Sequence, residues 1–309
     1  MKYLVIGRGF ASYGYVPALA AMGREVWVPS VLFDRLQSRQ FLDPADLLNV
    51  RRIETFDVEL DAIVLAVRPS ELQHYLSLLD DRLDSDISLL LEKPVGIAPQ
   101  SSVRLLSNLR QRNIKFSVNY SFLWTSWYRD YQHIFETANH ITCSWRFKSK
   151  FNPVNERWKS SHAEGGGALL FYGSHFLALF SHAQCIDVAH CSLTKTVWGE
   201  AVFTSQLTFL SCNGQKRQIL DLEVNCQANE ELFHIRADGL NICRHPDPFT
   251  NIDDPEGKPP SFVDRRFHIL QDYIQTIESA GCPLAHADVA IATQQNLVAV
   301  FDALEIRYG

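Results

Sequence analysis

The sequence predicts an α/β domain on a doubly wound parallel sheet, followed by an α+β domain with an open, mainly antiparallel sheet. Three observations carry that expectation. The first third alternates short apolar runs with helical stretches, the pattern of βαβ units. The second half holds three long runs of β-formers separated by turn residues. At 309 residues and 46% hydrophobic content, the chain can bury two cores. The change of texture near Asn119 places the expected domains at 1–119 and 120–309.

Each element has its own justification. Tyr3 to Ile6 is a short apolar run, and a helical stretch follows through about Met22. Glu25 to Val28, Ala62 to Val67, Ile87 to Leu91 and Ile114 to Val118 read as further buried strands, since parallel strands covered on both faces appear as continuous aliphatic residues. A helical pattern runs from Ser101 to Arg112, whereas residues 29–59 yield no third strand. Val188–Trp198, Val202–Ser211 and Gln218–Cys226 form the expected meander, with Gly199-Glu200 and Asn213-Gly214 as hairpin turns. Pro246 to Pro260 reads as a loop, and two helices, Phe262 to Ser279 and Asp288 to Tyr308, close the chain.

Composition narrows the function. A net charge of −6 without basic clustering argues against nucleic acid as a partner. No uncharged apolar stretch reaches the roughly 18 residues of a membrane span. The N-terminus begins a strand with no signal-peptide pattern, and seven scattered cysteines show no Cys-x-x-Cys spacing. Cytoplasmic residence is therefore expected. The histidines show no His-x-x-x-His zinc pattern, so no metal site is expected.

Two motifs carry chemistry. Gly7-Arg8-Gly9-Phe10-Ala11-Ser12 lies between the first strand and the first helix, where backbone N–H groups and a helix N-terminus cradle a pyrophosphate. Gly7 makes the turn, Gly9 lets the backbone approach, and Ser12 replaces a third glycine. Leu89-Leu90-Leu91-Glu92-Lys93-Pro94 ends an aliphatic strand with a carboxylate, an ammonium and a φ-locked proline. Ligands in open α/β sheets bind just beyond such strand ends.

Together with Pro17-Ala18-Leu19, Ala66-Val67-Arg68-Pro69 and Gly165-Gly166-Gly167-Ala168-Leu169-Leu170-Phe171-Tyr172-Gly173-Ser174-His175, these motifs resemble the glucose–fructose oxidoreductase / inositol dehydrogenase family over nearly the whole chain. The resemblance implies a Rossmann domain and an NAD(P)-dependent oxidoreductase. The hydride would pass between the nicotinamide and a carbonyl or alcohol carbon of a sugar-like metabolite. It implies that Lys93 polarises the reacting oxygen and that His175 is the general acid/base. It places cofactor contacts at Gly7, Gly9, Phe10, Ala11, Ser12, Ala66, Val67, Pro69, Gln73, Glu92 and Lys93, and substrate contacts at Tyr120, Phe171 and Tyr172. It also implies a homodimer or homotetramer formed through the C-terminal sheet.

Departures from the family pattern matter. Phe171 stands where the family has aspartate, Gln73 where it often has histidine, and the arginine expected after Val118-Asn119-Tyr120 is missing. These losses leave two alternatives open: an imine or keto reductase of a biosynthetic pathway, or a nucleotide-binding regulatory protein without catalysis. The second strand ends at Ser30 rather than an acid, with Arg35 and Arg39 downstream, so NADP is mildly favoured over NAD. The aromatic cluster Trp124, Trp127, Tyr128 and Tyr131 reads as a helix packing rings on the antiparallel sheet, the alternative being a wall near Tyr120.

Overall fold

The computed structural model describes residues 1–39, 48–55, 58–84, 86–149, 157–196, 199–211, 213–249, 264–280 and 284–308. The chain forms two compact units, each discontinuous in sequence. The first takes Met1–Val95, Ser107–Trp124 and Asn251–Ala287; the second takes Gly96–Leu106, Thr125–Thr250 and Asp288–Gly309.

In the first unit, six parallel strands lie in the order β3-β2-β1-β4-β5-β6. They are β1 (Lys2–Gly7), β2 (Glu25–Pro29), β3 (Val50–Ile53), β4 (Ala62–Ala66), β5 (Ser88–Glu92) and β6 (Lys115–Asn119). Leu4, Val5, Ile63, Val64, Leu89 and Leu90 are fully buried, as central strands of a covered sheet require. A wide π-turn, Ala11–Tyr15, leads into α1 (Val16–Ala21). The helices α2 (Ser30–Arg39), α3 (Leu72–Leu78) and α4 (Pro99–Gln111) connect later strands. β3, which the sequence pattern did not place, carries only Val50 and Ile53 inward; Arg51 and Arg52 face solvent, so the apolar signal is too short to stand out.

A late segment completes this unit. In α7 (Phe267–Ala280), Leu270, Tyr273, Ile274 and Ile277 pack in one apolar cluster with Val16, Leu19 and Val26. Glu278 pins the helix: Arg24 donates to both its oxygens, at 2.7 and 2.6 Å, and the Tyr3 hydroxyl donates at 2.8 Å. Burial pushes the Glu278 carboxyl up, but these donors outweigh it and leave the group below its ordinary value.

The second unit is a seven-stranded sheet in the order β12-β11-β7-β10-β9-β8-β13. Its strands are β7 (His140–Lys148), β8 (Ala183–Thr196), β9 (Gly199–Ser211), β10 (Arg217–Asn225), β11 (Gln227–Ala237), β12 (Leu240–His245) and β13 (Glu305–Tyr308). Pairing is antiparallel except between β7 and β10 and between β8 and β13. β9 shows the two-residue period: Phe203, Ser205, Leu207 and Phe209 are buried while Gln206 is exposed. The helices are α5 (Ser126–Thr137), α6 (Ser174–Ala178, preceded by a π-turn at Ala168–Gly173) and α8 (Leu284–Asp302). Aromatic rings fill the core, with Trp127 5.3 Å and Phe176 5.8 Å from Phe233, and Phe180 4.8 Å from Phe209.

The parallel and mainly antiparallel sheets agree with the expected fold class, and several local expectations need correction. Gly199-Glu200 is not a turn but the start of β9, because the Glu200 carboxylate is anchored inward. It takes the His162 backbone N–H at 3.1 Å and pairs with Lys195 at 3.3 Å. The last helix stops at Asp302, and Glu305–Tyr308 instead extends the β8 edge as a parallel strand whose residues are all exposed. The aromatic cluster divides: Trp127 is buried under Phe233 and donates to the Pro248 carbonyl at 2.9 Å, Tyr131 is exposed, and Trp124 packs on Tyr273 and His286 in the first unit. Most of the expected loop at 246–260 lies outside the described residues. The five described cysteines are buried free thiols, and burial pushes each up. Among the described residues, no helix is long and apolar enough to cross a membrane.

Buried His162 gives the second unit a pH signature. Its ring stacks on Phe301 at 4.7 Å, and its Nε2 has no hydrogen-bond partner among the described residues. Burial pushes the imidazole down to about 4, against a weaker upward pull from Glu200. Since the folded value lies below the ordinary one, the contribution to stability is present above pH 6.5 and lost as pH falls toward 4. In denaturant unfolding, His162→Leu should reduce the loss of stability between those pH values by on the order of 3 kcal/mol relative to wild type. Parallel curves for the two proteins would show that this ring does not titrate on unfolding.

Candidate active site

Most of the expected cofactor residues follow the carboxyl ends of β1, β4 and β5, while Ser30 and Arg35 follow β2 and Gln73 lies in α3, all within the first unit. Gly7 adopts φ +145°, and a Cβ there would collide with the Ala66 carbonyl, so only glycine lets β1 and β4 approach this closely. Gly9 is exposed, and a Cβ on it would meet open space. Ser12 is fully buried and closes the turn on itself: its N–H and its hydroxyl both donate to the Gly9 carbonyl, at 2.9 and 2.8 Å. Ala11 is buried in the core beneath them.

Phe10 links this turn to the distant C-terminal segment. Its ring stands edge-on to Tyr13 and Tyr15, and the Arg266 guanidinium lies 3.8 Å from its centroid. Arg266 is clamped by Asp264, with Nε and Nη2 donating at 2.7 and 3.1 Å. Burial works against both charges, and their pairing overcomes it, holding the arginine above and the aspartate below their ordinary values.

Glu92 ends β5, Lys93 follows it, and Lys93 is 7% exposed. Glu92 Oε1 accepts the Tyr15 hydroxyl and the Asn119 amide, each at 2.7 Å, and that amide also donates to Tyr15 at 3.1 Å. Burial pushes the Glu92 carboxyl up. Lys93, the Tyr15 bond, Arg266 and the Asn119 bond pull it back without cancelling the effect. Tyr15 is raised as well, by its own burial first and then by the adjacent carboxylate.

The remaining expected residues are more dispersed. Ala66 and Pro69 are buried, Val67 is half-buried, and Gln73 is exposed near the start of α3. Ser30 accepts a 2.7 Å bond from Arg52 on β3, while Arg35 is half-buried in α2. Arg52 also pairs with Glu54 at 3.3 Å and, at 4.0 Å, with Asp34. Tyr120 is fully buried, just beyond β6.

Phe171, Tyr172 and His175 belong to the second unit, on the helix led by Gly165-Gly166-Gly167. A Cβ on Gly166 would collide with the Trp158 carbonyl, which explains a glycine at this close approach. The Phe171 ring packs 5.5 Å from Trp158 and 5.0 Å from Tyr172. His175 is buried, 6.4 Å from the Phe249 ring. Tyr172 also borders a cavity of about 340 Å³ within this unit, whose lining includes Lys148, Lys159, Ser160, Glu200 and Gln227.

Four polar residues of the first unit escaped the sequence reading. Asn119 ends an expected strand, and only the strand register places it opposite Glu92. Arg52 sat on a strand the pattern did not place. Tyr15 looked like one more aromatic in a helix, and nothing local marked Arg266, more than 250 residues from the turn it covers.

No family model and no curated protein matches the chain. Solved structures do. KijD10, a 3-ketoreductase from Actinomadura kijaniata in complex with NADP and TDP-benzene, is 14% identical, with a TM-score of 0.65 over 100% of this chain and 99% of that one. GenD2 from gentamicin A biosynthesis, in complex with NAD, is 15% identical, with a TM-score of 0.69 over 98% and 93%. The aldose-aldose oxidoreductase from Caulobacter crescentus, complexed with glycerol, is 12% identical, with a TM-score of 0.67 over 98% and 97%. The chain thus shares, from end to end, the fold of proteins solved with NADP, NAD, TDP-benzene and glycerol.

Proposed function

We propose that this chain is an NAD(P)-dependent oxidoreductase acting on a carbonyl or alcohol carbon of a sugar-like small metabolite. The observation that carries the reading is buried Lys93 beside Glu92, on the same sheet edge as the Gly7–Ser12 turn. The turn fits a dinucleotide: open space at Gly9 and a turn already closed by Ser12 leave room for phosphate against backbone N–H groups. A nicotinamide held there supplies or accepts the hydride. Gly7, Gly9, Phe10, Ala11 and Ser12 form its phosphate side, and Ala66, Val67, Pro69, Gln73, Glu92 and Lys93 belong to the edge beyond β4 and β5. Lys93, a cation shielded from water, stabilises negative charge on the substrate oxygen, and the family resemblance gives His175 the role of general acid/base. The lysines, carboxylate and amide around the 340 Å³ cavity suit a hydroxylated ligand, with Tyr172 as one wall.

Phe171 favours reduction of a keto or imine group over oxidation of a polyol. Packed against Trp158 and Tyr172, it brings an apolar surface where a carboxylate would hold hydroxyls. Ser30 and Arg52 support NADP, against the pull of Glu54 and Asp34 on the same guanidinium. Assembly as a homodimer or homotetramer through the second unit's sheet, and residence in the cytoplasm, complete the proposal.

Nicotinamide fluorescence should show binding of NADPH somewhat tighter than NADH. Arg52→Ala should weaken NADPH roughly tenfold and leave NADH nearly unchanged, the loss expected for one charge-assisted phosphate contact. Equal losses for both cofactors would remove Arg52 from 2′-phosphate recognition, and no binding of either at millimolar concentration would sink the enzyme reading.

Turnover of keto-sugar or imine substrates should fall about two to four orders of magnitude in Lys93→Ala, with cofactor affinity largely kept. Near-native turnover in that variant would reduce Glu92-Lys93-Pro94 to an ordinary strand end.

A further inference from the structure

The cavity of about 340 Å³ in the second unit carries its charges unevenly. Glu200 is the one carboxylate among its described lining residues, and both of its oxygens are engaged. Oε1 pairs with Lys195 at 3.3 Å, and Oε2 accepts the His162 N–H at 3.1 Å. Lys148 and Lys159 border the same space, and Lys148 has no ion-pair partner among the described residues. Gln227 adds a donor: the Thr196 hydroxyl donates to its amide oxygen at 3.2 Å, which leaves the NH2 for a ligand. The lining thus offers positive charge and N–H groups, while its negative charge is spent. A sugar hydroxyl both donates and accepts and would use little of this; an oxyanion only accepts and uses all of it.

The cations stand on fixed backbone. Lys148 and Gln227 are directly opposite in the register of β7 and β11, so their side chains share one face of the sheet. Lys159 lies on a short helical turn, Arg157–Ser160, held from two sides by glycines. A Cβ on Gly166 would collide with the Lys159 carbonyl, and one on Gly199 with the Ser160 carbonyl. The volume is at the lower end for ligand pockets, the scale of one sugar ring with a charged substituent. We propose that this cavity selects an acidic sugar, a monosaccharide-sized substrate whose own carboxylate or phosphate is bound by Lys148, Lys159 and the Gln227 amide. That the ligand is a substrate rests on the oxidoreductase reading above.

Calorimetric titration without cofactor compares glucuronate and glucose 6-phosphate with glucose, and galacturonate and galactose 6-phosphate with galactose. At least one acid should bind about tenfold or more tighter than its neutral counterpart, the gain expected from charge-assisted hydrogen bonds. A gain for the uronates identifies a carboxylate, and a gain for the phosphates identifies a phosphate. Lys148→Gln should cut the preference several-fold, the Lys148→Gln/Lys159→Gln double variant should remove it, and Lys148→Arg should keep it. Added salt should shrink it in the wild type. Acids that bind no tighter than neutral sugars, or a preference that survives the double variant, would overturn the proposal. So would lysine-dependent binding of thymidine diphosphate alone, which would move the anion from the sugar to a nucleotide. Since the titrations contain no cofactor, the two readings fail separately. Acid preference in a protein that binds neither NADH nor NADPH would keep the site and remove the oxidoreductase. Turnover confined to neutral keto sugars would keep the oxidoreductase and overturn the acidic substrate.

Discussion

One half-buried carboxylate ties the candidate site together. Glu92 ends a strand flanked by parallel neighbours, where water is scarce and an unpaired charge is costly. Its donors come from the segment after the glycine turn and from the end of β6, so three separate stretches of chain must be in place before the group is satisfied. The same contacts fix the backbone that precedes Lys93. Arg266 adds a fourth stretch, because its guanidinium covers Phe10 and pulls on Glu92 from the far end of the sequence. The turn, the strand end and the late helix α7 are therefore parts of one buried electrostatic arrangement.

The second unit follows a different principle. Its core is aromatic, with Trp127 against Phe233 and Trp145, Phe176 and Phe233 in mutual ring contact. Polar side chains are buried there as well, among them Gln218, Thr293, Asn296 and Glu200. Glu200 is held by Lys195 and the His162 N–H, which locks the start of β9 against the glycine-rich lead into the helix of His175. A neutral imidazole stacked on Phe301 completes this corner. The glycine-rich lead is demanded by backbone proximity, since Gly166 lies against the Trp158 carbonyl.

The parallel sheet was legible because its central strands are buried on both faces and carry aliphatic runs; β1, β4 and β5 stand out for that reason. β3 did not, with two arginines on its outer side. The helix expected to run to Tyr308 illustrates the limit of helical periodicity at a chain end. Pairing with the β8 edge drew the final residues into a strand, and all four are exposed, so no burial pattern marked them. Gly199-Glu200 misled in the opposite direction, because turn chemistry was present but a buried carboxylate made the pair part of a strand.

The sequence by itself determined the two sheet types, the glycine turn and the position of Lys93. Each depends on local properties: apolar runs, residues without a Cβ, and a charged pair placed after a buried strand. Tertiary structure alone decided that residues 251–287 join the first unit, that Arg52 and not Arg35 bonds Ser30, and that Tyr15, Asn119 and Arg266 surround Glu92. The hydrogen bonds among them join residues between 22 and 77 positions apart, and Arg266 lies farther still from Glu92 along the chain. What selects them is the cost of leaving a buried donor or charge unpaired, a quantity that exists only once the surrounding chain has excluded water.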